Sequence, residues 1–132
     1  MRYIKLFESF NIDKVKLKEN IEACLVELFD KDFEILTTID NEFIGISIER
    51  KGDENEIEGD PILYTGYDFE LYEIEDEIRQ VSDYISEMYD DVTFEYIPET
   101  RIDNPGYSKL EEIPDGLVLT RFDLYVHINK KI

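Results

Sequence analysis

The chain has 132 residues and sets 33 acids against 14 bases, a formal charge of −19. Phosphates are repelled by such a field, so direct binding to nucleic acid or an anionic membrane is disfavoured and a basic partner is favoured. A 42% hydrophobic and 13% aromatic composition excludes a disordered polyanion and fits one folded domain.

Cys24 is the single cysteine, so no internal disulfide forms, which suits a reducing compartment. No stretch approaches the roughly 20 apolar residues of a membrane span. The opening MRYIKLFESF lacks the long apolar run and small-residue cleavage site of a secretory signal.

The charge is unevenly spread. Residues 1–52 hold 11 acids and 8 bases, residues 53–100 hold 17 acids and one base, and residues 101–132 hold 5 of each. Nearly all the excess lies in the middle of the chain.

In chain order, residues 1–10 place apolar side chains at helical spacing and form an amphipathic leader or a tail ahead of a single domain over 11–132. Asn11 or Asp13 is suited to cap a helix. Leu17, Ile21, Cys24 and Leu28, widened by Leu25 and Phe29, then give an amphipathic helix to Asp30. FEILTTI (33–39), a turn at Asp40-Asn41-Glu42, and FIGISIERK (43–51) read as a hairpin with Ile44, Ile46 and Ile48 on one face.

Residues 51–61 are an acidic loop, and 62–69 are a strand or an irregular approach. Leu71, Ile74, Ile78, Val81, Ile85 and Met88 mark the second helix. VTFEYIP (92–98) is a strand with Val92, Phe94 and Tyr96 on one face. Residues 99–116 form a long connection punctuated by proline and glycine. LVLTRFDLYVHI (117–128) reads as the longest strand, with Val118, Phe122, Leu124, Val126 and Ile128 on one side. Arg121, Asp123, Tyr125 and His127 fall on the other.

The element order is helix-strand-strand twice. ELFDKDFEILT (27–37) also resembles EMYDDVTFEYI (87–97). The expected fold is therefore α+β: a duplicated αββ unit, with a four-stranded antiparallel sheet and two helices packed on one face.

Little in the chain points to catalysis. His127 is the single histidine and reads as a surface strand residue. Cys24 lies on an apolar stripe and reads as an inert thiol. The loop from Asp53 fails the calcium-loop register, because Ile57 stands at position 5 and Glu58 where glycine is required. Thirty-three acids guarantee carboxylate pairs, so a pair carries no information. No phosphate-cradling glycine loop or serine elbow is present. The expectation is no enzyme, no cofactor and no metal.

The acidic second helix remains. Glu73, Asp76, Glu77, Asp83 and Glu87 fall opposite its apolar seam, interleaved with Tyr72 and Tyr84. One turn separates neighbours by about 5–6 Å, comparable to the spacing of phosphates along a strand. Like charges at i and i+4 cost a few tenths of a kcal/mol, and lysine was open to the sequence to mix the signs. These seven residues are the candidate partner-binding set. The 99–116 connection is a second candidate surface, including for a small ligand or nucleotide.

Met1 to Phe10 resembles the start of many small uncharacterised proteins of large tailed bacteriophages. These often begin Met-Lys-Tyr-Ile-Lys-Leu-Phe-Glu, with an aromatic-containing stretch and a helix-strand-strand domain following; here Arg2 replaces the lysine. The match covers under a tenth of the chain. It implies expression in the host bacterial cytoplasm. It also implies an accessory role: docking on a basic host nuclease, defence or other nucleic-acid-handling protein by nucleic-acid mimicry. The segment is similar, too, to leaders that direct internal proteins into phage proheads, which implies a packaged virion protein as the alternative.

Overall fold

A computed structural model describes residues 14–51 and 68–129. The expected leader, the cap at Asn11 or Asp13, most of the acidic loop and the start of the 62–69 stretch lie outside the described residues. Residues 14–24 are helical (α1). A turn at Leu25 leads into α2 (Val26–Asp30), and α3 spans Glu75–Met88. The strands are β1 (Phe33–Ile39), β2 (Phe43–Arg50), β3 (Phe69–Glu70), β4 (Val92–Glu99), β5 (Val118–Leu119) and β6 (Arg121–Ile128). The fold is α+β, with a four-stranded antiparallel sheet of order β1-β2-β6-β4 and a separate two-stranded pair, β3-β5.

Period-2 alternation sets the faces of the sheet. Ile44, Ile46 and Ile48 of β2 stand opposite Val126, Leu124 and Phe122 of β6. All six are fully buried, in one cluster with Leu17, Ile21, Leu25 and Leu28 of the first helical segment and Ile74, Ile78, Val81 and Ile85 around α3. Two cross-links tie the helices in: Asn20 Nδ2 donates to Tyr84 Oη at 2.8 Å, and the Ser82 and Tyr96 hydroxyls share a buried hydrogen bond of 2.9 Å.

Three expectations are corrected. The first helix is broken at Leu25, and Phe29 of the expected stripe stands 46% exposed, while Leu25 is fully buried as expected. The second helix begins as a 3₁₀ turn over Leu71–Glu73, and its last seam residue, Met88, is 45% exposed. The strand expected over 117–128 is interrupted at Thr120, whose N–H donates to the Glu99 carbonyl at 2.8 Å. The interruption shifts the alternation, so Leu119 is buried and Val118 exposed, the reverse of the continuous strand.

Helix and sheet meet at a tight turn. Asp32 takes a left-handed φ of 66°, a conformation that aspartate tolerates better than most residues. Its carbonyl accepts from the Lys51 N–H at 2.7 Å, the next rung beyond β2. The long 99–116 connection is structural: Tyr107 exchanges backbone hydrogen bonds with Tyr96, and Leu110 and Ile113 enter the core.

Candidate functional site

The seven candidate residues separate into two groups. Asp76, Asp83 and Glu87 are exposed on one stripe of α3, away from its buried residues. At 1.5 Å rise per residue the stripe runs about 16 Å, shorter than the roughly 30 Å edge of a 20-residue helix. Tyr72 stands 72% exposed in the turn before α3. The other three are built into the fold. Glu73 pairs with Arg50, and its second oxygen accepts from the Glu70 N–H at 2.8 Å. Glu77 is 7% exposed, and Tyr84 is half-buried and takes the Asn20 hydrogen bond.

Cations from outside the acidic region neutralise part of it. Arg50 pairs with Glu73 and also lies 5.0 Å over the Phe33 ring. Arg101 reaches Asp68 at 3.0 Å, and Arg121 reaches Glu99. Arg79, on α3 itself, bridges Glu75 at 2.8 Å and Glu111 at 2.6 Å. Those bonds raise the Arg79 pKa and lower that of Glu111. Four of the twelve described acids between residues 68 and 99 are thus ion-paired. Among the described residues, none of the ion pairs involves Asp76, Asp83 or Glu87.

The helix dipole sorts the acids further. Glu75, Asp76 and Glu77 occupy the first turn of α3, where negative charge is favourable. No base lies in the last turn. Glu87 lies in the last turn, and Asp90 and Asp91 follow it, where negative charge is unfavourable by about 0.3–1 kcal/mol each, while Asp83 sits mid-helix, away from both ends. Asp91 has a structural use, its carbonyl accepting from the Asn129 N–H at 3.0 Å.

A second polar group lies on the opposite row of the sheet. Asp123 is 2% exposed. It accepts from Ser47 Oγ at 2.6 Å and from Arg121 Nε at 3.2 Å, while Arg121 also pairs with Glu99 and, at 3.8 Å, with Glu49. Burial works against the charge on Arg121, but the fields of Asp123 and Glu99 outweigh it and raise its pKa. Burial, reinforced by Asp123, pushes the Tyr125 phenol up as well. Tyr125 stands opposite Gly45, where an added Cβ would come within 2.9 Å of the Phe43 ring. The Phe43 ring meets Tyr125 at 5.3 Å and His127 at 5.5 Å.

Sequence alternation puts Asp123 on the polar side but does not reveal its burial. Its partner Ser47, and Glu99, which shares Arg121 with it, become neighbours only through the β2-β6 and β4-β6 registers, which no local pattern encodes. The Phe122-Asp123-Leu124 context, a charge between two large apolar residues, is the one available signal.

His127 is exposed, and Cys24 is half-buried with its thiol pushed up by burial. Among the described residues no group of three or more His, Cys, Asp or Glu is placed to hold a metal ion, and no helix is long and apolar enough to cross a membrane. No protein-family model, curated protein or solved structure matches the chain.

Proposed function

We propose that the protein is a small acidic accessory protein, of phage origin, that binds a basic surface of a host nucleic-acid-handling or defence protein in the bacterial cytoplasm. The supporting observation is the stripe Asp76, Asp83 and Glu87. It is exposed and unpaired among the described residues, and one of its three members, Glu87, lies where the helix dipole opposes it. Opposite charge steers such an encounter, and counterion displacement makes it salt-sensitive. Tyr72 adds an exposed aromatic surface at the stripe's N-terminal end.

The test is charge reversal on the stripe. Asp76→Lys, Asp83→Lys and Glu87→Lys together should leave the thermal midpoint nearly unchanged. The same variant should abolish low-salt association with a basic nucleic-acid-binding protein such as a bacterial histone-like protein. Retained association would end the proposal. Reversing Glu73 and Glu77 is not a usable test, because one is a cap and ion-pair partner and the other is buried.

The fold is read in the same spirit as a duplicated αββ unit with both helices on one face. The support for it is the repeated helix-strand-strand order and the match of ELFDKDFEILT (27–37) to EMYDDVTFEYI (87–97). Methyl NOEs from Ile21 and Ile78 to Ile46 and Leu124 test the one-face packing; contacts from either helix to Leu36 would refute it.

A further inference from the structure

The polar row of the sheet carries an aromatic group where β1 turns into β2. Phe43 stands directly opposite His127 across the β2-β6 ladder, and Gly45 opposite Tyr125. The Phe43 ring lies across Gly45, and only a residue without a Cβ leaves it that place, since a Cβ would come within 2.9 Å of the ring. The ring packs against Tyr125 at 5.3 Å and His127 at 5.5 Å, tilted to both. Phe43 and Tyr125 are half-buried, and His127 is exposed.

A groove of about 790 Å³ opens beside this group, lined by Asp40, Glu42, Phe43, His127, Ile128 and Asn129. Its volume falls within the range of small-ligand sites. Two of its polar groups are already oriented. Asp40 Oδ1 accepts from the Glu42 N–H at 2.8 Å, which fixes the carboxylate. Asn129 Nδ2 donates to Thr93 Oγ1 at 2.5 Å, which leaves the amide Oδ1 as an acceptor.

Charge and shape select the ligand. Asp40, Glu42 and Asn129 are exposed, as is Glu95, which stands opposite Tyr125 on β4. Among the described residues no ion pair involves Asp40 or Glu95. Such a field repels anions and attracts cations. A metal ion is a poor fit, because the acids do not converge three ligating groups on one point among the described residues. An aromatic face beside a carboxylate and an amide oxygen suits a flat cation rich in N–H donors. Guanidinium stacks on aromatic rings and donates in a fork, whereas ammonium is a compact, strongly hydrated point charge.

We propose that this groove binds the guanidinium of an arginine side chain carried by a basic partner. The guanidinium plane stacks on Phe43, and its N–H groups donate to Asp40 and to Asn129 Oδ1. The inference rests on the reading that the partner is basic, but it uses none of the residues of the α3 stripe.

The probe is N-acetyl-arginine amide, titrated into the full chain by NMR at constant ionic strength. The controls are N-acetyl-citrulline amide, its uncharged isostere, and N-acetyl-lysine amide. The arginine compound should shift the Phe43 ring, His127 and Asn129 side-chain signals and bind more tightly than either control. Asp40→Asn keeps an oxygen for the Glu42 N–H and should weaken arginine binding by about two- to fivefold, narrowing its lead over citrulline. Phe43→Leu should weaken it by about two- to fivefold and erase the preference over lysine. Both variants are judged by these ratios, which a change in stability alone does not move.

The Asp76→Lys, Asp83→Lys, Glu87→Lys variant should bind the arginine compound as the parent does, so the groove and the stripe fail separately. Arginine bound no more tightly than citrulline, shifts centred elsewhere, or ratios untouched by either variant would overturn the proposal. Arginine binding that appears only after Lys130→Ala and Lys131→Ala would overturn it in favour of the chain's own lysines as occupants. Concentration-dependent shifts at Phe43 and His127 without ligand would overturn it in favour of a second copy.

Discussion

Replacing Arg121 by methionine tests the balance of charge beneath the polar face of the sheet. Asp123 is 2% exposed and keeps only the Ser47 hydroxyl when Arg121 is gone; Glu99 loses the same cation. Removing one partner of a buried ion pair costs about 3–5 kcal/mol. Arg121 is 40% exposed, so water replaces part of what it supplied. The expected loss is therefore about 2–3 kcal/mol. Asp123→Asn removes the buried charge itself, leaves Arg121 on Glu99, and keeps an oxygen for Ser47, so its cost is about 1 kcal/mol. With a urea slope of about 1.5 kcal/mol/M, Arg121→Met should lower the midpoint by about 1.3–2 M and Asp123→Asn by less than 1 M. The double variant should be more stable than the sum of the singles predicts, because Asp123→Asn removes the charge that Arg121→Met strands. Circular dichroism at pH 7 measures all three. An Asp123→Asn loss equal to that of Arg121→Met, or simple additivity, would show that Arg121 does not compensate Asp123.

Ile78→Ala should cost about 2–5 kcal/mol, since Ile78 is fully buried, while Met88→Ala, at a seam position 45% exposed, should cost under about 1 kcal/mol; urea midpoints compare the two. Tyr96 is held un-ionised by burial, so its folded pKa lies above the unfolded one. Stability is then complete below pH 10 and falls as pH rises from there, and Tyr96→Phe should lose the Ser82 hydrogen bond, about 1 kcal/mol, while flattening the alkaline decline. Asp32→Gly should relieve the left-handed φ of 66°, worth about 1–2 kcal/mol, and give back part of that in chain entropy; thermal unfolding should show no loss and up to about 1 kcal/mol of gain.

The parts of the fold legible in the sequence are those set by local period. Ile44, Ile46 and Ile48 alternate, Ile74 to Ile85 recur at helical steps, and both patterns mark buried faces. What stayed hidden depends on contacts distant in the chain. Nothing near Thr120 forces a strand to end, except that Phe69–Glu70 pairs with Val118–Leu119 and draws them out of the main sheet. Nothing near Leu25 forces a turn, except that the helix must continue into a hairpin whose first residue, Phe33, packs edge-on to Phe69 at 5.2 Å. The candidate site divides the same way. The stripe Asp76, Asp83, Glu87 follows from helical spacing alone. The loss of Glu73 and Glu77 from it follows from Arg50, 23 residues earlier, and from the depth at which α3 is seated.

Glu87→Lys separates a charge kept for use from a charge that is only solvated. Glu87 is exposed near the carbonyl end of α3, four residues from Asp83, with no base in that turn. Lysine there exchanges an unfavourable dipole interaction for a favourable one and turns a like-charge pair with Asp83 into an opposite-charge pair. The two effects are worth about 0.3–1 and 0.2–0.5 kcal/mol, so the variant should be more stable than the parent by about 0.5–1.5 kcal/mol, and the gain should shrink in high salt. On the proposed reading, the carboxylate is kept there for docking at that cost in stability, against a usual total of about 5–15 kcal/mol. The same substitution should then weaken association with a basic partner. A Glu87→Lys protein that is more stable and binds equally well would leave the stripe as a solvated helix back; one that gains no stability would show that the acid was compensated all along.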